Sequence, residues 1–216
     1  MIEDHITFPA ENISLEGILH LPQGEPPFPA VVVCHPHSLY GGNMQNNVVK
    51  AICYALAEAS IAALRFNFRG VGMSEGDFSG GYGEQEDVIA ALTFLTSASQ
   101  INPEKIGLVG YSFGTKVALP VALNNDKVRA VAFVSPFISD PDLENLKGYV
   151  KPKIFICGGD DCYSFANEVQ QKVSELPEPN QFHIIPSTDH FWGGFEEEVA
   201  KKVSAFFTTI FKMDVI

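Results

Sequence analysis

Basic residues are scarce in this chain. Lysine and arginine together number 14 against 26 aspartates and glutamates, a formal net charge of −12, and no Lys/Arg cluster breaks the imbalance. Polyanions and anionic lipid surfaces repel such a chain, so neither nucleic acid nor a membrane is an expected partner. Long apolar runs are also missing. No stretch approaches the ~18 residues that a membrane span requires, and Glu3 and Asp4 stand where a signal peptide carries basic residues. The expected location is therefore cytoplasmic. Cysteine is limited to Cys34, Cys53, Cys157 and Cys162, with neither zinc-ligand pairing nor the density of a secreted disulfide scaffold. Cys34 and Cys157 end apolar runs and read as small buried residues. No repeat, low-complexity segment or shift in composition marks a linker, and 216 residues suit one domain, 1–216.

What is present is a regular series of apolar segments. Residues 6–8 and 13–21 read as a hairpin, the second strand alternating for one-sided burial. Residues 30–34 are continuously apolar, as strands buried on both faces of a parallel sheet are. Further strands are expected at 61–68, 105–109, 128–135, 153–157 and 181–186. Helical spacing appears at 46–59, 84–96, from Thr115, and again from Gly194 to the end. Glu84, Glu86 and Asp87 load the first turn of their helix against its dipole and read as a solvated helix start.

The chemistry centres on Gly110-Tyr111-Ser112-Phe113-Gly114. With a strand before it and a helix after it, Ser112 stands on a tight turn with a strained backbone, which Gly110 and Gly114 permit because neither carries a Cβ. The hydroxyl is pushed out of the sheet. The free amides and positive dipole end of the following helix point at the same place, so negative charge developing beside Ser112 meets ready donors.

Other segments invite competing readings. The glycines of Arg69-Gly70-Val71-Gly72-Met73-Ser74-Glu75-Gly76 resemble a phosphate loop, but no helix starts immediately after them; Arg69 and Ser74 are read instead as braces. His35-Pro36-His37 looks like a metal pair, yet no third ligand stands nearby, so His35 is read as a loop-bracing hydrogen-bonder and neither metal nor cofactor is expected.

On the elbow, the Phe66-Asn67-Phe68-Arg69-Gly70-Val71-Gly72 loop, the Gly158-Gly159-Asp160-Asp161 turn and the Asp189-His190-Phe191-Trp192 loop, the chain resembles the α/β-hydrolase superfamily. The His35-Pro36-His37-Ser38-Leu39-Tyr40-Gly41-Gly42 loop is similar to that of small lidless bacterial serine hydrolases of the esterase and dienelactone hydrolase kind. The resemblance implies an α/β fold: a mostly parallel twisted sheet of about eight strands with helices on both faces, no large lid, and the site at the carboxyl ends of the strands. It also implies a nucleophile Ser112, an acid Asp161 with Asp160 as the alternate, and a base His190, in the chain order of this superfamily. The oxyanion would be held by the backbone amides of Phe113 and His37; Pro36 in the family's glycine position leaves Leu39 as an alternative donor. Tyr40, Phe137 and Trp192 would shape the substrate pocket. Residues 136–151 are too few for a lid domain, and their apolar set, Phe137, Ile138, Leu143, Leu146 and Tyr149, suits a pocket wall and core packing equally.

The implied activity is hydrolysis of an ester of a small-molecule acyl substrate. A thioesterase or peptidase on the same residues, and a non-catalytic binding protein of the same shape, remain as rivals. The sequence leaves the oligomeric state open, a homodimer included.

Overall fold

A computed structural model describes residues 1–213. Eight strands form one sheet: β1 (Ile2–Ala10), β2 (Ile13–Leu21), β3 (Phe28–Cys34), β4 (Ala62–Phe66), β5 (Ile101–Tyr111), β6 (Val128–Val134), β7 (Lys153–Gly158) and β8 (Asn180–Ile185). Their spatial order is β1-β2-β4-β3-β5-β6-β7-β8. β1 pairs antiparallel with β2 and β2 with β4, while every pairing from β4 through β3 to β8 is parallel. Among the described residues six α-helices accompany them: α1 (Asn47–Glu58), α2 (Tyr82–Ser97), α3 (Phe113–Leu123), α4 (Asp140–Lys147), α5 (Ala166–Val173) and α6 (Glu196–Lys212).

The unbroken apolar runs follow from a core on each side of the sheet. Along β3, Ala30, Val32 and Cys34 face the layer of α2 and α3, whereas Val31 and Val33 face the layer of α1 and α6. A strand covered on both faces has no position at which a polar side chain reaches water. The expected strands and helices appear with shifted ends, β1 and β5 lengthening most. Helix α5 has no counterpart in the apolar pattern, because its inward face consists only of Ala166, Val169 and Val173.

One reading of a charged segment differs from the structure. Glu84 and Asp87 are buried, not solvated: Glu84 accepts hydrogen bonds from the amides of Ser79 and Gly81, and Asp87 takes the Arg69 guanidinium at 2.8 and 3.0 Å and its amide at 2.9 Å. Arg69 is thereby the brace expected of it. Ser74 is another, donating to the Asn67 carbonyl and accepting from the Glu16 amide.

Candidate active site

Strands β3, β5, β6, β7 and β8 run parallel, so the loops leaving their carboxyl ends gather on one edge of the sheet. At the end of β5, Ser112 adopts φ 53° and ψ −119°, a conformation most side chains avoid. The backbone holds it there: the Ser112 amide donates to the Val134 carbonyl, and its carbonyl accepts from the amide and hydroxyl of Thr115. The flanking glycines are required by proximity. A Cβ on Gly110 would lie 2.5 Å from the Gly114 carbonyl oxygen, and one on Gly114 would lie 2.4 Å from that of Cys34. The start of α3 is thus pressed against the end of β3, which brings the amide of Phe113 beside the loop holding His37.

A second close approach joins the ends of β7 and β8. A Cβ on Gly158 would fall 2.3 Å from the Thr188 carbonyl oxygen, and the Asp160 amide donates to that same oxygen at 2.9 Å. This contact sets Asp161 against His190. Their side chains meet at 2.8 Å (Nδ1 to Oδ2) and 3.0 Å (Nδ1 to Oδ1), and the opposite ring nitrogen, Nε2, lies 2.9 Å from Ser112 Oγ. An ionised carboxylate only accepts, so the proton resides on Nδ1 and Nε2 is left free to take one. Asp160 is exposed and contributes its amide, not its carboxylate, to this junction.

Burial alone would push the Asp161 carboxyl up. Hydrogen bonds from His190, from the Ser135 hydroxyl and from the amides of Ser164 and Tyr163 outweigh it and hold the group below the usual carboxylate range. Three further contacts around this pair escape sequence reading. Ser135, strained at φ 45°, also accepts from the Trp192 indole at 3.1 Å; the Tyr111 hydroxyl donates to the His190 carbonyl at 2.7 Å; and Ser164 is anchored to the Pro136 carbonyl. The one signal in reach was Tyr111, which lies inside the elbow motif.

The remaining expected residues separate. Trp192 does not line a pocket: it is fully buried in the core beneath α1 and α6, because its positive φ of 62° and its bond to Ser135 turn the ring inward. Tyr40 is 87% exposed and rests on the His37 ring. Phe137 is half-exposed beside His190, whereas Leu143, Leu146 and Tyr149 belong to the core. His37 and Phe113 lie with their rings 4.6 Å apart. Among the described residues, neither of their amides is engaged in a hydrogen bond, while the Leu39 amide is taken by His37 Nδ1 at 3.3 Å. Both ring nitrogens of His35 are occupied, Nδ1 by the Pro36 carbonyl and Nε2 by the Phe68 amide. Burial lowers its pKa to about 4 despite the Pro36 bond, so it stays neutral. Among the described residues no group of three His, Cys, Asp or Glu side chains is arranged to hold a metal, and no helix is long and apolar enough to cross a membrane.

Comparison with known proteins finds relatives of the chain. A family model, FrsA-like (esterase FrsA-like), matches residues 2–156. The uncharacterized protein RP471 of Rickettsia prowazekii is 32% identical over 193 residues, covering 86% of this chain and 81% of the relative. Among solved structures, an α/β serine hydrolase homologue from Coxiella burnetii superposes with a TM-score of 0.85 at 30% identity, over 95% of this chain and 97% of the other. XC6422 from Xanthomonas campestris, an α/β serine hydrolase without a lid, gives 0.80 at 26% identity, over 94% and 93%.

Proposed function

Because this chain belongs to the FrsA-like esterase family and is a small lidless α/β hydrolase, we propose that it cleaves an ester or related acyl bond of a small to medium substrate, with Ser112 as nucleophile, His190 as base and Asp161 as its orienting acid. The observation carrying this reading is the continuous hydrogen-bonded line from Ser112 Oγ through the two nitrogens of His190 to Asp161. It supplies the three functions of a serine hydrolase in the required order.

In the first half-reaction His190 Nε2 takes the Ser112 proton as Oγ bonds the acyl carbon. Asp161, kept ionised by its four donors, stabilises the imidazolium that forms. The oxyanion lies against the amides of Phe113 and His37, whose lack of other partners favours this pair over Leu39; each such donor is worth on the order of 10²–10³ in rate. The acyl carbon–oxygen bond then breaks, its electron pair stays with the leaving oxygen, and Nε2 returns the proton to that atom. Water, deprotonated by the same nitrogen, releases the acid and restores Ser112.

Hydrolysis of p-nitrophenyl esters of increasing acyl length by wild type and Ser112→Ala tests the assignment. The variant should fold normally and lose on the order of 10⁴- to 10⁶-fold in turnover, and a serine-directed phosphonate should label only the wild type. Undiminished hydrolysis by the variant rules Ser112 out.

A further inference from the structure

We infer that Phe137, Tyr163 and Phe191 form a subsite for the alcohol portion of the ester, and that the preferred substrates carry an aryl or comparably bulky, uncharged apolar alcohol. The inference rests on the roles of Ser112 and His190 proposed above and extends them to substrate class.

Three rings from three separate loops, those leaving β6, β7 and β8, converge on one imidazole. Their centroids lie 6.1 Å (Phe137), 5.1 Å (Tyr163) and 5.7 Å (Phe191) from that of His190, and Tyr163 and Phe191 meet edge to face at 6.1 Å. Each nonetheless remains about half-exposed, at 47, 54 and 60% respectively. One exposed ring on a surface needs no explanation. A cluster gathered around a base with its faces left uncovered is an apolar surface open to a ligand.

Proton delivery decides which part of the substrate meets it. When the tetrahedral intermediate collapses, the bond from the acyl carbon to the alcohol oxygen breaks, and that oxygen takes both the electron pair and the proton from Nε2. The leaving oxygen must therefore lie within hydrogen-bond reach of His190, and its substituent extends on the His190 side of Ser112, toward the three rings. The opposite flank is already filled by the protein: His37, Phe78 and Phe113 pack on one another at 4.6 to 5.7 Å, and Phe113 is buried. Charge adds a second filter. Asp160 and Asp189, both exposed, stand next to Asp161 and His190 in a chain of net charge −12, so an anionic alcohol is disfavoured.

The test compares benzyl and ethyl esters of one acid, whose alcohols have close acidities, in wild type, Phe137→Ala, Phe191→Ala and Phe191→Leu. Wild type should favour the benzyl ester by at least about tenfold in kcat/KM, as burial and ring stacking of one aryl group provide. Either alanine variant should cut that ratio several-fold. Phe191→Leu, which keeps bulk without the ring, should fall between, and the acyl-length profile should keep its shape throughout. A ratio near one in wild type, or an unchanged ratio in all three variants, overturns the subsite. Absence of any ester turnover together with absence of phosphonate labelling at Ser112 overturns the hydrolase reading itself, and the subsite with it; labelling with a flat benzyl-to-ethyl ratio overturns the subsite alone.

Discussion

The hydroxyl of Ser135 faces two ways. An indole N–H only donates, so Ser135 Oγ accepts from Trp192, and its own single proton is then available to the Asp161 carboxylate. One atom thereby ties Asp161 to the loop that carries His190, since Trp192 follows His190 by two positions. Replacing Ser135 by alanine leaves a buried indole donor without a partner, a cost of about 1–3 kcal/mol, and frees Asp161 to shift against His190. Ser135→Ala should lower kcat by roughly 10- to 100-fold with little change in KM, as small misplacements of reacting groups do. Trp192→Phe separates the two contacts, since it keeps the bond to Asp161. Kinetics of both variants and of the double variant check the coupling: independent, additive losses would show that the two contacts do not act through one hydroxyl.

At the scale of elements, the site depends on how closely loops approach one another, and two neighbouring glycine segments offer a controlled comparison. A Cβ on Gly158 meets the Thr188 carbonyl at 2.3 Å, whereas one on Gly193 meets nothing within 4 Å. Gly158→Ala should cost about 1–3 kcal/mol in urea denaturation and displace the His190 loop, lowering kcat as well; Gly193→Ala should stay within about 0.5 kcal/mol of wild type. Equal effects of the two would show that the β7–β8 junction is not the tight contact described.

The same scale explains what could be read from the sequence. The Ser112 elbow and the Asp161 turn are legible because each depends on glycine spacing and on an apolar run just before it, and the His190 loop because it directly follows the final apolar run, all of them local signals. Strands covered on both faces are legible for the same reason. Trp192 is not: its position in the chain places it beside His190, but the backbone turn at that residue and a serine 57 positions away send the ring into the core. Glu84 and Asp87 misread likewise, since charges at a helix start look solvated until the backbone amides and the arginine that satisfy them are in view. Helix α5 was illegible because so few of its residues face inward.

Over the whole molecule, acid should weaken the fold before it removes carboxylate interactions. Buried His35 titrates near 4 in the native state but near 6.5 when unfolded. Between those values the unfolded chain gains a proton that the native one refuses, so stability is complete above about 6.5 and falls as the pH drops toward 4, by roughly 3 kcal/mol from this residue. Asp161, whose carboxyl is held low, adds a loss only at lower pH, as it is protonated through its native value. Urea midpoints measured from pH 7 to pH 4 should therefore decline already in the range where carboxylates are still ionised, and His35→Gln should lessen that decline, the remainder coming from His20, which burial likewise lowers to about 4. A wild-type midpoint that does not move above pH 5 is the contrary result.

The separation of the site residues along the chain has a consequence for how activity is acquired. Ser112 and His190 stand 78 residues apart, and Asp161 and His190 stand 29 apart, each delivered by a different crossover of a parallel sheet. Contacts between distant segments close late, because the loops between them must first be ordered. On the roles proposed above, Ser112 and its helix are made long before His190, and a nascent chain that has already assembled β3 to β6 is still inert. Onset of the proposed turnover would then report the docking of β8 and the His190 loop.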